Sequence, residues 1–302
     1  MLTLFSTSLT TINVPVLGQS QQSSAPPLDW QNTYSSDSTS WIAQTSDGGF
    51  VFFVQGIQAT SYFWYNRLAA LTKIDSSGNV LWIQNFSYPF PQNIITTNDG
   101  GFAYITLNNS ALTICKLDSN GNSQWNQIFG HPTGGSTMLI QTNDGGYAVT
   151  VHNDKGYNGQ VDVKELMLFK TDAKGTCQWT KTFVSLNSNY TFRSLIQTGD
   201  GGYAIAGSSA AGLNIQINGT SNSTGSDFCL FKTNSEGDLQ WIKMYGGYLD
   251  DDANSLIQTS DVGFALAGNT NSFGAGQTDA LIIKTDASGN PLWVKTYGGS
   301  VW

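Results

Sequence analysis

Short runs of alternating apolar and polar residues, each closed by a Gly-, Asp- or Asn-rich turn, follow one another along the whole chain. Residues 255 to 297 show the pattern most clearly. Ser255-Leu-Ile-Gln-Thr259, Phe264-Ala-Leu-Ala-Gly268, Ala280-Leu-Ile-Ile-Lys-Thr285 and Leu292-Trp-Val-Lys-Thr-Tyr297 each read as a β-strand. Asp261-Val-Gly263 joins the first two runs, and Asp286-Ala-Ser-Gly-Asn290 joins the last two. Turns this short make the connected strands antiparallel hairpins. No apolar 3.6-residue period persists for three turns anywhere, so no helix is expected.

The same unit recurs with a period of roughly 50 residues. Its consensus is Gln-Thr-x-Asp-Gly-Gly-aromatic, then a variable stretch, then Lys-Thr-Asp-x-x-Gly-x-x-x-Trp. Copies run from Gln44 to Trp82, Thr96 to Trp125, Gln141 to Trp179, Gln197 to Trp241 and Gln258 to Trp293. Val262 replaces the first glycine of the last copy. Backbone conformations with positive φ favour Gly and Asp, which is the expected reason for the Asp-Gly-Gly turns. Four antiparallel strands in each such unit predict an all-β fold, a β-propeller of four-stranded antiparallel blades. Five blades are recognisable, at about 30–81, 82–124, 125–178, 179–240 and 241–292, with a partial unit at 293–302. The outer, Trp-bearing strand occurs once more than the other three, from Trp30 onward. That extra strand leads to the expectation of a fragment of a larger ring of about six to eight blades.

The Lys-Thr-Asp-x-x-Gly-x-x-x-Trp segment resembles the tryptophan-docking motif of quinoprotein-type propellers. The resemblance implies that Trp82, Trp125, Trp179, Trp241 and Trp293 pack between neighbouring blades, with Trp30 as an earlier partial copy. The whole unit is similar to those of secreted archaeal and bacterial proteins with tandem Gln-Thr-x-Asp-Gly-Gly-Tyr propeller repeats. The resemblance covers roughly residues 30 to 302 and implies a fold, while carrying over no catalytic residue and no quinone.

Charged residues make up only 11% of the chain, and the net charge is −8. With no Lys/Arg cluster, such a surface repels phosphates, and nucleic acid is excluded as an expected partner. Aromatic residues, at 12%, argue against disorder. Cys115 and Cys229 sit in apolar runs and read as buried thiols, and Cys177 stands two residues before Trp179. No Cys-x-x-Cys is present. Residues 1–29 differ from the rest, a weakly apolar stretch followed by a polar, Pro-ending linker that reads as a signal-like segment. The expectation is export to the extracellular space or cell surface. No run is apolar and long enough for a transmembrane segment.

Candidate chemistry lies outside the repeat consensus. The connections between second and third strands vary most: Gln55–Arg67, Asn108–Ser110, Asn153–Val163 and Ala210–Ser226. Variable loops on a rigid scaffold are where binding is usually placed. Tyr62, Phe63, Trp64 and Tyr65 in the first of these are candidates to stack on a sugar or anchor a protein partner. Asp250, Asp251 and Asp252 are candidate calcium ligands, and no other cofactor is expected. Lys73, Lys116, Lys170, Lys232 and Lys284 share one strand position, with Glu165, Asp227 and Asp279 five residues earlier. These read as exposed cross-strand pairs contributing roughly 0–1 kcal/mol. His131 and His152 belong to no zinc or triad signature. The expected function is a non-enzymatic scaffold binding protein or glycan. Its alternatives are a carbohydrate-active propeller using paired funnel carboxylates, or a purely structural surface-layer component.

Overall fold

The computed structural model describes residues 2–5, 31–34, 38–61, 64–86, 91–108, 111–130, 137–157, 162–186, 190–209 and 225–300. Every regular element among them is a strand. A two-stranded sheet pairs β1 (Leu2–Phe5) with β2 (Gln31–Tyr34). Five four-stranded antiparallel sheets follow as propeller blades. Blade 1 holds β3 (Ser38–Gln44), β4 (Phe50–Ser61), β5 (Trp64–Ile74) and β6 (Val80–Phe86). Blade 2 holds β7 (Pro91–Thr96), β8 (Phe102–Asn108), β9 (Ala111–Leu117) and β10 (Ser123–Phe129). Blade 3 holds β11 (Thr137–Gln141), β12 (Tyr147–Tyr157), β13 (Asp162–Thr171) and β14 (Cys177–Leu186). Blade 4 holds β15 (Tyr190–Gln197), β16 (Tyr203–Ser209), β17 (Asp227–Thr233) and β18 (Leu239–Tyr245). Blade 5 holds β19 (Asp251–Gln258), β20 (Phe264–Thr270), β21 (Asp279–Thr285) and β22 (Pro291–Tyr297). In every sheet the strands lie side by side in chain order. Each Trp strand therefore closes the blade that precedes it, because the Asp-x-x-Gly turn ties it directly to the third strand.

The chain divides into two compact units, Met1–Asn108 with Cys115–Gln124, and Asn109–Ile114 with Trp125–Trp302. Within each, apolar positions at period two meet across neighbouring sheets. Ala206, Phe228 and Leu230 of blade 4 form one fully buried cluster with Leu266, Leu281 and Ile283 of blade 5. Val51, Phe53 and Leu71 of blade 1 do the same with Phe102, Tyr104 and Cys115 in the first unit. Cys115 and Cys229 are buried, Cys177 is exposed, and all are free thiols. Burial pushes the Cys115 thiol up to about 11.

Tryptophan docking takes a specific form. Trp82 meets Phe102 edge-on at 5.9 Å, Trp125 meets Tyr147 at 5.6 Å, Trp179 meets Tyr203 at 5.7 Å and Trp241 meets Phe264 at 5.9 Å. Each of those partner rings is the aromatic that follows Asp-Gly-Gly in the next unit. The indole also covers the Asp-x-x-Gly glycine of that next unit. A Cβ on Gly121 would come within 2.9 Å of the Trp82 ring, and one on Gly289 within 2.9 Å of Trp241. Trp293 stands outside this scheme, 44% exposed with Lys295 Nζ 5.7 Å from its ring centre. Trp30 lies outside the described residues.

The Asp-Gly-Gly turn has the expected positive φ at its first glycine and a second, steric requirement at the next. In blade 3, Gly145 N donates to Thr142 O and Thr142 N to Gly146 O, which makes a tight hairpin turn. Only the first glycine has positive φ, 82° at Gly145. The second is required by space, since a Cβ on Gly146 would collide with the Thr171 carbonyl and sit 2.6 Å from Lys170 Nζ. The aspartate serves as an acceptor. Asp144 Oδ1 receives Thr142 Oγ1 at 2.6 Å and Gly146 N at 3.0 Å.

That carboxylate also pairs with the recurring lysine. Lys73–Asp47, Lys116–Asp99, Lys232–Asp200 and Lys284–Asp261 meet at 2.8 Å, and Lys170–Asp144 at 2.7 Å. The lysine side chains are only 5% to 12% exposed, whereas the aspartates are more than half exposed. The reading of these lysines as surface pairs is therefore corrected. Lys73, Lys116, Lys170 and Lys232 are buried and Lys284 nearly so, and Lys170 also donates to Thr171 O at 2.7 Å and Gln178 Oε1 at 3.1 Å. A buried ammonium needs such a set of acceptors.

Candidate functional site

The two ends of a blade differ. The two tight turns cap one end with the same backbone hydrogen bonds in all five units, Val262 and Asn234 being departures from Asp-Gly-Gly and Asp-x-x-Gly. The opposite end carries the connections between second and third strands and between blades, where the sequence varies. Of the aromatic candidates there, Tyr62 and Phe63 lie outside the described residues. Trp64 and Tyr65 open β5, their backbones paired with Ser61 and Ala59, and their side chains also lie outside what is described. The stretch read as a loop from Gln55 to Arg67 is largely a hairpin extension, since β4 runs to Ser61 and β5 starts at Trp64. β12 and β13 likewise extend to Tyr157 and from Asp162.

The acidic run is fully visible. Asp251 is buried and accepts from Gly247 N at 2.8 Å and from Thr270 Oγ1. Asp250 accepts from Ser226 N at 2.8 Å and from Ser226 Oγ at 3.2 Å. Asp252, the next residue along β19, projects to the opposite face from Asp251 and accepts from the same Ser226 Oγ at 3.5 Å. Backbone and hydroxyl donors thus hold these carboxylates, Asp250 and Asp252 around the Ser226 hydroxyl and Asp251 on the other face of the strand. Among the described residues no three His, Cys, Asp or Glu side chains form a metal-binding group.

Those carboxylates staple the loop end of blades 4 and 5. Ser272 Oγ accepts from Leu249 N at 2.9 Å and donates to Leu249 O at 3.1 Å. Thr270 Oγ1 accepts from Ser272 N and Phe273 N, both at 3.1 Å. Asp279, buried at the start of β21, accepts from Ala275 N at 2.7 Å and Gly276 N at 3.3 Å. The expected role of Asp279 as a cross-strand partner of a lysine is thereby replaced by one as a loop anchor. On this fixed platform Tyr248 is 61% exposed and Leu249 46%. Sequence reading passed over them because Tyr248 follows Gly-Gly and precedes the acidic run, with no aromatic neighbour to draw notice.

Among the described residues no helix is long and apolar enough to cross a membrane. No known family model matches the chain, and no curated protein matches it in sequence. Solved structures do match in shape. The Dos1 propeller superposes with a TM-score of 0.52 at 11% identity, over 86% of this chain and 72% of that one. A cobalt-substituted ACO, the apocarotenoid oxygenase of Synechocystis, gives 0.47 at 11% identity, over 87% and 62%. An ACO/RPE65 chimera gives 0.44 at 12%, over 87% and 62%. This chain thus spans 62% of the length of each of those two structures. The likeness to the Dos1 propeller is one of fold.

Proposed function

We propose that this protein is an exported, non-enzymatic propeller that binds a glycan or a protein partner through the loop end of its blades. On this reading it is a member of the tandem Gln-Thr-x-Asp-Gly-Gly-Tyr group that its repeats resemble. The observation that carries the proposal is Tyr248 with Leu249. An aromatic and a Leu are held in solvent on a connection pinned by Asp251 and Ser272. A contact surface ordered before binding loses little conformational freedom when a partner arrives. Tyr presents a flat face to a sugar ring and a hydroxyl to its rim.

The consensus residues support the reading by elimination. The side chains of Asp-Gly-Gly, Lys, Gly and Trp are engaged in turns, ion pairs and blade packing, whereas those of the loop end differ from blade to blade. A glycan-array screen with and without calcium, followed by polysaccharide hydrolysis assays, tests the proposal. Binding that falls at least tenfold in Tyr248→Ala, with unchanged thermal unfolding, is the expected result. Hydrolysis of any polysaccharide would replace it with the enzymatic reading. Retention of full binding by the variant would remove the Tyr248 surface from it.

A further inference from the structure

The repeat's glutamine links successive blades by two hydrogen bonds. Gln197 Nε2 donates to Gly201 O in its own turn at 3.3 Å, and its Oε1 accepts from Asn143 N in the preceding turn at 2.8 Å. Gln258 repeats this with Val262 O at 3.3 Å and Gly199 N at 2.8 Å. One side-chain amide thus satisfies a backbone acceptor and a backbone donor that belong to different blades.

Blade 2 departs from the pattern. Thr96 stands where the glutamine should be. Its hydroxyl sits on Cβ, too short to reach either partner and without the planar donor–acceptor pair. The equivalents of the two bridged groups are the Ser46 amide and the Gly100 carbonyl. Among the described residues no protein group bridges them. A cavity of about 430 Å³ opens at this point, lined by Gln44, Thr45, Ser46, Thr96, Asn98 and Gly100. Ser46 and Gly100, which carry the two backbone groups left by the missing glutamine, thus line one cleft. The cleft belongs wholly to the first compact unit.

We propose that this cleft is a binding site for a carboxamide group. A ligand amide placed where the glutamine side chain would lie accepts from Ser46 N and donates to Gly100 O. A carboxylate offers no donor for the Gly100 carbonyl and is opposed by the net charge of −8. An ammonium offers no acceptor for the Ser46 amide. The cavity is far larger than one amide, so it has room for the body that carries it. The acetamido group of an N-acetylhexosamine and the side chain of a glutamine or asparagine share this chemistry. The site lies at the tight-turn end of the blades and stands independently of the loop-end surface.

The test is a ¹⁵N-resolved titration of the full chain with N-acetylglucosamine and, separately, with N-acetylglutaminamide. Acetate and glucose serve as controls. Saturable shifts of the Ser46 and Gly101 amides with either carboxamide, and none with the controls, are expected. The compound that binds more tightly identifies the source of the amide. Thr96→Gln supplies the missing side chain and is expected to weaken binding at least tenfold. Ser46→Pro removes the donor N–H at a turn position that tolerates proline, and is also expected to weaken binding about tenfold. The remaining resonances report that each variant is folded, and either variant suffices if the other fails to fold. An unmoved Ser46 amide in the presence of both carboxamides would overturn the proposal. So would a folded variant that binds like the parent.

Discussion

Asp144 and Lys170 form one ion pair of unequal exposure, the lysine side chain 6% exposed and the aspartate 56%. Removing either partner therefore has different consequences. Asp144→Ala strands a buried ammonium and is expected to cost about 1–3 kcal/mol in urea unfolding. Lys170→Met leaves a hydrated carboxylate and is expected to cost less than about 1 kcal/mol. The pair also sets the response to acid. Burial raises the carboxyls of Asp99, Asp144 and Asp200, but hydrogen bonds from lysine, threonine and glycine outweigh it and hold them at about 2, below the ordinary 3.8. At Asp261 the Lys284 hydrogen bond is the main cause of a value of about 2, and at Asp47 the Lys73 bond lowers the group further. Folded-state values below the unfolded value mean stabilisation that is complete above about pH 4 and lost as pH falls through about 2. Thermal unfolding followed across that window should show its steepest decline there, and Asp144→Asn should make the decline shallower. Val262 is a further residue-scale exception, a β-branched side chain at φ 59° where the other four units have Gly at 78° to 83°. Val262→Gly is expected to stabilise by roughly 0.5–1 kcal/mol, the left-handed strain less the added chain entropy.

At the scale of the element, the Trp-bearing strand and the turn that receives it belong to different repeats. Trp179→Ala should lose the contacts with Tyr203 and Gly237 and cost about 3–5 kcal/mol. Trp293→Ala, at an exposed indole, should cost a small fraction of that. Chemical denaturation of the two variants side by side checks the difference. The four strands of each blade and their tight turns were legible from alternation and turn residues, whereas β1 and the long β4–β5 hairpin were not. The recurrence of Trp and Gly was legible too, but the partner of each was not. Spacing within one unit suggests contact within that unit, whereas the indole of one unit reaches the glycine of the next. Lys170 was misread for a related reason. Charge on a strand suggests solvent, and only the folded hairpin brings Asp144 round to receive the ammonium. Extension of β4 and β5 through an expected loop reflects backbone pairing, which needs no apolar face to continue.

For the whole molecule, the blade pattern and the sheet order could be read from sequence because every unit states them again. The loop-end surface and the Thr96 cleft could not. Tyr248 gains its meaning from Ser272 and Asp251, which are remote in pattern though near in space. Thr96 matters only because Gln197 and Gln258 show what is missing. Where each unit leans chiefly on its neighbours, stability approaches a sum of local and nearest-neighbour contributions. The cost of altering a connection then stays local. Two residues separate β8 from β9, and eight separate β20 from β21. Closing a flexible loop grows dearer by only about 0.6 kcal/mol for each doubling of its length. Lengthening the β8–β9 connection to the span of the β20–β21 one should thus cost about 1.2 kcal/mol, measurable by calorimetry. With the residues common to every unit gathered at the tight-turn end, the other end can differ from blade to blade, so new binding surfaces can be added there while the repeated scaffold beneath stays as it is.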